Sequence, residues 1–196
     1  MAENDLRYLL NRGYRKTTAL DFVSGHYLLD KKDRNYLVRK VSSNQQAQKR
    51  QDKLINLPEI DGKLVLIDGY NVLITSESVL YHPESVLKSD DGVLRDVKSV
   101  FGKYKPHHNT EPTLNLLLDT LKSANPREIR FYYDSPVSLS GELAHLTRKL
   151  LKEKKVNGCA STHKHVDRDL VKTSQAENGV VATSDGPLID HLERVV

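Results

Sequence analysis

Apolar residues recur every three or four positions in the first 56 residues, which is the spacing of helices with one buried face. Three such runs are bounded by polar capping residues or by glycine, and Asp30 is placed to cap the third. The polar run 42–52 is either a solvated helix or a connector. Pro58 and Asp61-Gly62 then mark a boundary. This pattern predicts a small, basic, all-helical domain over residues 1–57.

From residue 63 onward, short apolar runs alternate with amphipathic stretches. Four runs have the length and composition of strands, at residues 64–67, 129–133, 156–161 and 180–183. Helical patterns cover residues 111–123 and begin again at Ser140, near residue 167 and at Pro187. Strands and helices in alternation indicate a parallel-rich sheet flanked by helices. We therefore predict an α/β domain over residues 58–196, with a helical, loop-rich insertion over 76–106 and a last short strand at Val195-Val196.

Each predicted strand ends on, or runs into, an aspartate: Asp68, Asp134, Asp167 and Asp185. The carboxyl ends of parallel strands meet at one edge of a sheet, where open α/β sheets bind their ligands. Four acids at one edge repel one another unless a cation lies among them. Carboxylate oxygens are suitable ligands for Mg²⁺ or Mn²⁺, so the pattern predicts a divalent metal site.

The segment Leu66-Ile-Asp68-Gly-Tyr-Asn71 is the most specific local motif of the chain. It places an acid at a strand end, then a glycine that allows a tight turn, and an amide three residues after the acid. Asn71 could hold Asp68 in place, coordinate a metal through a water, or bind a substrate phosphate. Alternatively, Asp68 caps the next helix and Asn71 satisfies a turn. The residues alone leave both interpretations open.

A second acidic cluster, Asp90-Asp91-Gly-Val-Leu-Arg95-Asp96, lies in the insertion. In a functional interpretation, Asp91 is a further metal ligand and Arg95 clamps a phosphate through two hydrogen bonds. In a structural interpretation, Asp90 or Asp91 caps a helix over 92–101, and Arg95 pairs with an acid.

Two hydroxyl groups precede the helix that is predicted to begin at Ser140. Ser138, Ser140 and the backbone amides of that first turn could bind a substrate phosphate, because helix N-termini attract anions. The alternative is ordinary capping, with Ser140 as the N-cap and Glu142 in the first turn.

Charge is distributed unevenly between the two predicted domains. Residues 1–56 contain 12 Lys and Arg against 6 Asp and Glu, whereas the rest of the chain contains 18 against 20. Aromatic residues interleave with the basic ones, although Phe22 itself is expected in the helical core. A basic segment joined to a mildly acidic body is typical of proteins that bind a polyanion, and this favours RNA as the partner. The alternative is an ordinary solvated helical face.

The bulk composition indicates a cytoplasmic protein. No apolar run approaches the ~20 residues that span a bilayer, so no membrane partner is expected. The first residues lack the basic-then-apolar layout of a secretory signal. The single cysteine, Cys159, excludes an internal disulfide and is typical of a reducing compartment.

Three segments resemble motifs of PIN-like nucleases, especially of their NYN branch. Ile67-Asp68-Gly-Tyr-Asn71 resembles the opening motif of that branch, and Lys164-His-Val-Asp167 resembles its lysine-glycine-valine-aspartate run. Val181-Ala-Thr-Ser184-Asp185 resembles its strand that ends in a serine and aspartates. The segments occur in the family's order over residues 63–193.

The resemblance implies metal-dependent cleavage of RNA, with one or two Mg²⁺ or Mn²⁺ ions held among aspartates. Carried over by position, Asp68 is the central ligand, and Asn71 and Ser184 contact either the scissile phosphate or a metal-bound water. The surrounding acids are Asp134, Asp167 and Asp185.

The chain also departs from the NYN pattern. Thr173 stands where such proteins often carry a further acid, and Pro187 stands where they tend to have a second aspartate. Fewer carboxylates favour one metal over two. They also leave open an RNA-binding module of the same fold that does not cut. A third, separate alternative is a hydrolase of nucleotides or other small phosphate esters.

Further stretches resemble an uncharacterised, largely archaeal family of the DUF434/DUF5616 type. They lie at residues 6–16, 90–96 and 134–142. That family combines a helical N-terminal domain with a PIN-like domain, which supports the fold prediction more than the activity. Dimerisation is common among PIN-like proteins, so a homodimer stays open, as does a ribonucleoprotein partner.

Overall fold

The computed structural model describes residues 1–97 and 101–196. Contacts between Cα atoms group these residues into two compact units. The N-terminal unit comprises residues 1–52 and 84–97, and the sheet unit comprises residues 53–83 and 101–196. The predicted division into domains 1–57 and 58–196 stays a prediction. No helix of the described residues is long and apolar enough to cross a membrane.

Four helices form most of the N-terminal unit: α1 (Ala2–Asn11), α2 (Lys16–His26), α3 (Lys31–Lys40) and α4 (Asn44–Gln51). Asp30 and Ser43 cap α3 and α4, each through a side-chain oxygen that accepts a backbone amide hydrogen. The polar run after residue 41 is therefore mainly a helix. Apolar side chains from α1, α2 and α3 meet in a small core: Leu6, Ala19, Leu20, Val23, Leu37 and Val41. The helical N-terminal region was predicted correctly.

A β-hairpin completes the N-terminal unit, where the sequence pattern predicts a helix over 92–101. Its antiparallel strands are β2 (Val86–Lys88) and β3 (Leu94–Asp96). Asp91 stabilises the turn because its Oδ1 accepts hydrogen bonds from the Ser89 hydroxyl at 2.5 Å and the Val93 amide at 3.2 Å. Gly92 adopts a φ of +82°, which side chains with a Cβ rarely tolerate. Residues 98–100 of the predicted helix lie outside the described residues.

The sheet unit alternates strands and helices along the chain. Its strands are β1 (Leu64–Asp68), β4 (Glu128–Asp134), β5 (Gly158–His163) and β6 (Val180–Ala182). Its helices are α5 (Gly69–Tyr81), α6 (Thr110–Ser123), α7 (Ser140–Glu153), α8 (Val166–Glu177) and α9 (Gly186–Asp190). The four strands form a parallel sheet in the order β5-β4-β1-β6, flanked by helices. This confirms the predicted α/β class.

The core of the sheet unit lies around β1, whose five residues are all buried. Leu114, Leu118 and Leu121 of α6 pack into the same cluster as Ile129 and Phe131 of β4. Val195 forms bridges to Leu54 and Val181, as expected for a last short extended segment. Burial on both faces explains why β1 is a continuous apolar run rather than an alternating one.

The strand order changes direction next to β1. The chain leaves β1 towards β4 and β5, then returns through α8 to β6 on the other side of β1. After β6 it continues to Val195, which pairs with Val181 of β6. The carboxyl ends of β1 and β6 therefore flank a topological switch point, where open α/β sheets bind ligands.

Candidate active site at the carboxyl edge of the sheet

Asp68 lies at the switch point, at the end of β1. It is only 5% exposed, and its Oδ2 accepts a hydrogen bond from the Thr183 hydroxyl at 2.8 Å. Asp68 occupies the position before α5, yet within the described chain its side chain makes no capping hydrogen bond to that helix. The capping alternative for Asp68 is therefore wrong, and the carboxylate is directed to β6 instead.

Three other aspartates lie close enough to Asp68 to act on its charge. Asp134 ends β4, Asp167 lies in the first turn of α8, and Asp185 follows β6. Burial, which is the largest cause, and the negative charges of all three neighbours together raise the pKa of Asp68 to about 7, against the lowering effect of the Thr183 hydrogen bond. The ends of β1 and β4, the segment after β6 and the first turn of α8 thus bring together the four aspartates that the sequence singled out.

The pKa values of Asp134 and Asp167 are raised as well. Partial burial and the charge of Asp167 raise the pKa of Asp134. Partial burial and the charge of Asp185 raise the pKa of Asp167. Within the described residues, neither these two nor Asp68 nor Asp185 forms an ion pair with a basic side chain. The aspartate cluster (Asp68, Asp134, Asp167 and Asp185) is therefore a region of excess negative charge, although the charge of His163 lowers the pKa of Asp134.

Asp185 also has a structural role. Its Oδ2 accepts the Leu188 amide at 3.1 Å and so caps α9, while its own amide donates to the Thr183 hydroxyl at 3.1 Å. Thr183 consequently links the backbone of Asp185 to the carboxylate of Asp68. Sequence reasoning did not single out Thr183; its position directly before the serine and aspartate after β6 was the available signal.

Asn71 fixes the segment after β6. Its Oδ1 accepts hydrogen bonds from both the amide and the hydroxyl of Ser184, each at 2.7 Å. The Ser184 hydroxyl also lies 3.3 Å from that of Thr75. Asn71 and Ser184, both predicted to contact substrate, are thus adjacent to the aspartate cluster and to each other. Their role towards a phosphate stays a prediction.

The glycine of the Asp68-Gly69 motif is required by close packing rather than by a turn. A Cβ at Gly69 would lie 2.8 Å from the carbonyl oxygen of Tyr132 and would also overlap the ring of Tyr133. This close approach of α5 to β4 places the ends of β1 and β4 side by side, with Asp68 paired in register to Tyr132.

The side chains are not arranged as a formed metal site. Among the described residues, no three His, Cys, Asp or Glu side chains converge so as to hold a metal ion. The donor chemistry nevertheless suits a hard cation, because all four candidates are carboxylates. Mg²⁺ typically binds one or two carboxylates and completes its coordination with waters and substrate phosphates. The metal site that the sequence predicts at these four aspartates, with Asp68 as its central ligand, stays a prediction.

Asp91 and Arg95, predicted as metal ligand and phosphate clamp, belong to the N-terminal unit. Arg95 donates to both carboxylate oxygens of Asp91, at 2.9 and 2.7 Å, and Arg50 donates to Oδ2 at 3.0 Å. Burial alone would raise the pKa of Asp91, but Arg95, Ser89 and Arg50 lower it to about 2. All three charged side chains are buried. This geometry favours the structural interpretation, in which Arg95 pairs with an acid.

Ser138 and Ser140 lie at the start of α7, where a phosphate site was predicted. Ser138 is exposed, whereas Ser140 is buried and its hydroxyl donates to the carbonyl of Ser135 at 3.4 Å. The N-cap residue is Leu139, so the expectation that Ser140 caps the helix is wrong. Of the two hydroxyl groups, that of Ser138 is the one accessible to a ligand.

A hydrogen-bonded chain on β5 was not anticipated from the sequence. The Ser161 hydroxyl lies 2.8 Å from Nε2 of His163, whose Nδ1 lies 2.9 Å from the carboxylate of Asp169. The His163 ring stacks on Tyr132 at 4.1 Å between centroids. Asp169, an acid on the same helix as Thr173, is therefore engaged by His163. The Tyr132 hydroxyl donates to Thr173 itself, at 3.3 Å.

Exposed aromatic residues occur in the N-terminal unit. Phe22 is 67% exposed, so its predicted place in the core is wrong. Tyr8 and Tyr14 are also exposed, and the guanidinium of Arg12 lies 4.5 Å from the ring centre of Tyr8. Leu20 and Val23 supply the buried face of α2, which leaves Phe22 on the opposite face. Exposed rings beside basic side chains are compatible with RNA binding but do not establish it.

Comparison with known proteins assigns a family and no activity. Residues 57–196 match a family described as a domain of unknown function (DUF5616), and residues 1–53 match a protein of unknown function (DUF434). An uncharacterized protein of Methanocaldococcus jannaschii is 38% identical over 188 residues, which cover 96% of this chain and 87% of that protein. No solved structure matches the chain.

Proposed function

The chain belongs to the family of unknown function that joins DUF434 to DUF5616, and from its site we propose a metal-dependent ribonuclease of the PIN-like, NYN type. It would hydrolyse RNA phosphodiester bonds at the aspartate cluster, with Mg²⁺ or Mn²⁺ as cofactor. The observation that carries the proposal is the raised pKa of Asp68, about 7, in a cluster of four acids that lacks a basic partner among the described residues.

Uncompensated charge at this edge costs folding free energy, since each carboxylate disfavours ionisation of the others. Such an arrangement is typical of sites whose ligand supplies the missing positive charge. Asp68 and Asp134 lie at the ends of adjacent parallel strands and would bind the ion most directly. Asp185 and Asp167 would add negative charge and orient its waters.

A bound divalent ion would supply a lowered water pKa and would neutralise charge that develops on the scissile phosphate. The chain itself supplies the positioning. Thr183 orients the carboxylate of Asp68, and Asn71 fixes Ser184 through two hydrogen bonds of 2.7 Å. The amide nitrogen of Asn71 has no hydrogen-bond partner within the described residues, so it remains available to donate to a phosphate oxygen.

The second candidate is an RNA-binding module that does not cut. The arrangement at Thr173 favours it, because the hydroxyl of Tyr132 bonds to Thr173 where NYN nucleases often carry an acid. This candidate binds RNA at the same edge of the sheet without needing a divalent ion. Its affinity would fall steeply with salt.

Single-turnover cleavage of structured and unstructured RNA decides between the two candidates. The reactions contain Mn²⁺, Mg²⁺ or EDTA, and they compare the wild type with Asp68→Asn and with Asp119→Asn. Asp119 is an exposed aspartate on α6 that pairs with Lys154, so it serves as a matched control. The nuclease proposal expects metal-dependent cleavage that falls by about 10³-fold or more in Asp68→Asn and stays unchanged in Asp119→Asn.

Either of two results would overturn the nuclease proposal. One is equal cleavage by Asp68→Asn and the wild type, since a central metal ligand cannot be dispensable. The other is the absence of cleavage by folded protein that still retains RNA, which would favour the binding module. Affinity for mononucleotides without affinity for RNA would indicate a hydrolase of small phosphate esters instead.

A further inference from the structure

A groove of about 490 Å³ runs along α8 and α9 and begins at the aspartate cluster. Asp167 lines its end nearest the cluster. The polar lining residues are Arg168, Lys172, Gln175 and His191, and the apolar ones are Val171, Pro187 and Leu188. The volume lies in the ~300–1,000 Å³ range of sites that hold small molecules. The groove therefore extends the candidate site along one side of the sheet unit.

The basic side chains of the groove are available to a ligand. Lys172 is exposed, and no acid of the described residues lies within ion-pairing distance of its ammonium group. The Arg168 side chain is 74% exposed, and its one contact with an acid, Asp169, is long at 3.7 Å. An exposed pair of this kind contributes little, so the guanidinium can reorient towards an anion.

The groove also offers apolar and aromatic surface. The exposed ring of His191 lies on the α9 side, next to Pro187 and the buried Leu188. Val171 lies opposite, on α8. A flat ring beside aliphatic side chains is a suitable surface for an unstacked base, while the lysine and arginine are suitable for phosphates.

We propose that this groove binds one or two unpaired nucleotides of RNA directly adjacent to the scissile phosphate. Lys172 and Arg168 contact the backbone phosphates, and the ring of His191 stacks on a base. The groove accepts a base only when it is free of its complement, so it selects single-stranded over duplex RNA. The inference rests on the proposed function, since it takes RNA as the substrate of the neighbouring aspartate cluster.

Asp167 explains why the basic groove and the acidic cluster belong to one site. A phosphate next to Asp167 is repelled unless a cation lies between them, whereas a phosphate beside Lys172 is attracted without one. The RNA strand is therefore held in the groove independently of metal. The phosphate that follows the bound nucleotides then lies at the aspartate cluster. Binding and cleavage thus have separable requirements.

Binding is measured in EDTA on the Asp68→Asn protein, so that no cleavage occurs. The probe is a fluorescent single-stranded RNA of about ten nucleotides, compared with its duplex. Lys172→Glu should weaken single-strand affinity by about tenfold, and His191→Ala by about three- to tenfold. The matched control is Lys152→Glu on α7, an exposed lysine outside the groove, which should change affinity less than about twofold.

Crosslinking locates the bound strand directly. RNA that contains 4-thiouridine should crosslink to peptides from α8 or α9, and Lys172→Glu should reduce the yield of those crosslinks at limiting protein. The proposal fails if Lys172→Glu binds within twofold of its parent protein, if duplex binds as tightly as single strand, or if the crosslinks map elsewhere.

The experiments can refute the groove proposal and the nuclease proposal independently of each other. If RNA occupies the groove but the wild type does not cut with Mn²⁺, the groove stands and the nuclease proposal falls. If the wild type cuts and Lys172→Glu cuts equally well at limiting RNA, the nuclease stands and the groove falls.

Discussion

Asp91 and Asp68 are both buried aspartates next to other acids, yet their surroundings are opposite. In the N-terminal unit, Arg95 and Arg50 donate to Asp91 and lower its pKa to about 2. In the sheet unit, Asp68 receives one hydroxyl hydrogen bond and is surrounded by acids, so its pKa rises to about 7. The N-terminal unit balances the charge of Asp91 with arginines, whereas the sheet unit surrounds Asp68 with further acids.

The difference separates a structural from a functional use of the same residue type. The charge of Asp91 is balanced within the chain, and the result is a closed hairpin turn. The charge of Asp68 is not balanced by an ion pair among the described residues, and Asp68 lies at the edge where parallel strands place a ligand site. Unfavourable charge that the fold retains is a better indicator of function than the number of acids in a segment.

The largest expected effect is on the stability of the N-terminal unit. Asp91→Asn removes the buried carboxylate that both Arg95 and Arg50 contact, and breaking a buried ion pair costs about 3–5 kcal/mol. Urea unfolding followed by hydrogen exchange at residues 1–52 measures the loss. Asp21→Asn, which removes an exposed pair with Arg34, should cost less than about 1 kcal/mol. A similar cost for both variants would contradict the comparison.

At the aspartate cluster, replacing an aspartate by asparagine is expected to stabilise the protein rather than destabilise it. In EDTA at pH 8, Asp68→Asn should raise the free energy of unfolding by about 2–4 kcal/mol, because it removes a buried charge whose pKa is raised by about three units. Denaturant unfolding of the two proteins measures the change. Asp119→Asn provides the baseline, and a destabilised Asp68→Asn protein would argue against uncompensated charge in the cluster.

Acid should unfold the N-terminal unit through Asp91. Its folded pKa lies below the unfolded value of 3.8, so its contribution is complete above about pH 4 and is lost as the pH falls towards 2. The lowered pKa corresponds to about 2 kcal/mol. Hydrogen exchange of the wild type against pH should show this loss within residues 1–52, and Asp91→Asn should lack it. If the stability of residues 1–52 in the wild type does not change between about pH 4 and pH 2, the ion pairs of Asp91 do not contribute as described.

The smallest effect is expected at Thr183. Thr183→Val removes the hydroxyl that donates to Asp68 and should cost about 1 kcal/mol of stability together with roughly tenfold of any cleavage rate. Thr183→Ser keeps the hydroxyl and serves as the control. Equal activity of the Val and Ser variants would mean that the orientation of Asp68 does not depend on this bond.

Much of the fold could be predicted from the periodicity of the chain. The continuous apolar run of β1 and the helical leucines of α6 are strong signals because both elements are buried over several turns or residues. The hairpin was missed because β2 and β3 have only three residues each. Its stability comes from Asp91, whose pairing with Arg50 is a contact between positions 41 residues apart. Local patterns carry no information about such a contact.

The aspartates of the candidate site could be predicted from the sequence, but the contacts that hold them could not. Strand ends alone bring Asp68, Asp134 and Asp185 to one edge, which required only the assumption of a parallel sheet. The packing reason for Gly69, the bond from Thr183 and the groove beside α8 depend on how helices lie against the sheet. Those features follow from three-dimensional packing, so sequence reasoning did not find them.

The account depends most directly on whether the aspartate cluster takes up a divalent cation. Calorimetric titration of Mn²⁺ into the wild type, Asp68→Asn and Asp119→Asn measures this without substrate. Binding by the wild type and by Asp119→Asn, with a loss of about tenfold or more in Asp68→Asn, is the predicted result. Equal binding by all three proteins, or no binding by the wild type with or without RNA present, would contradict the assignment of Asp68 as the central metal ligand.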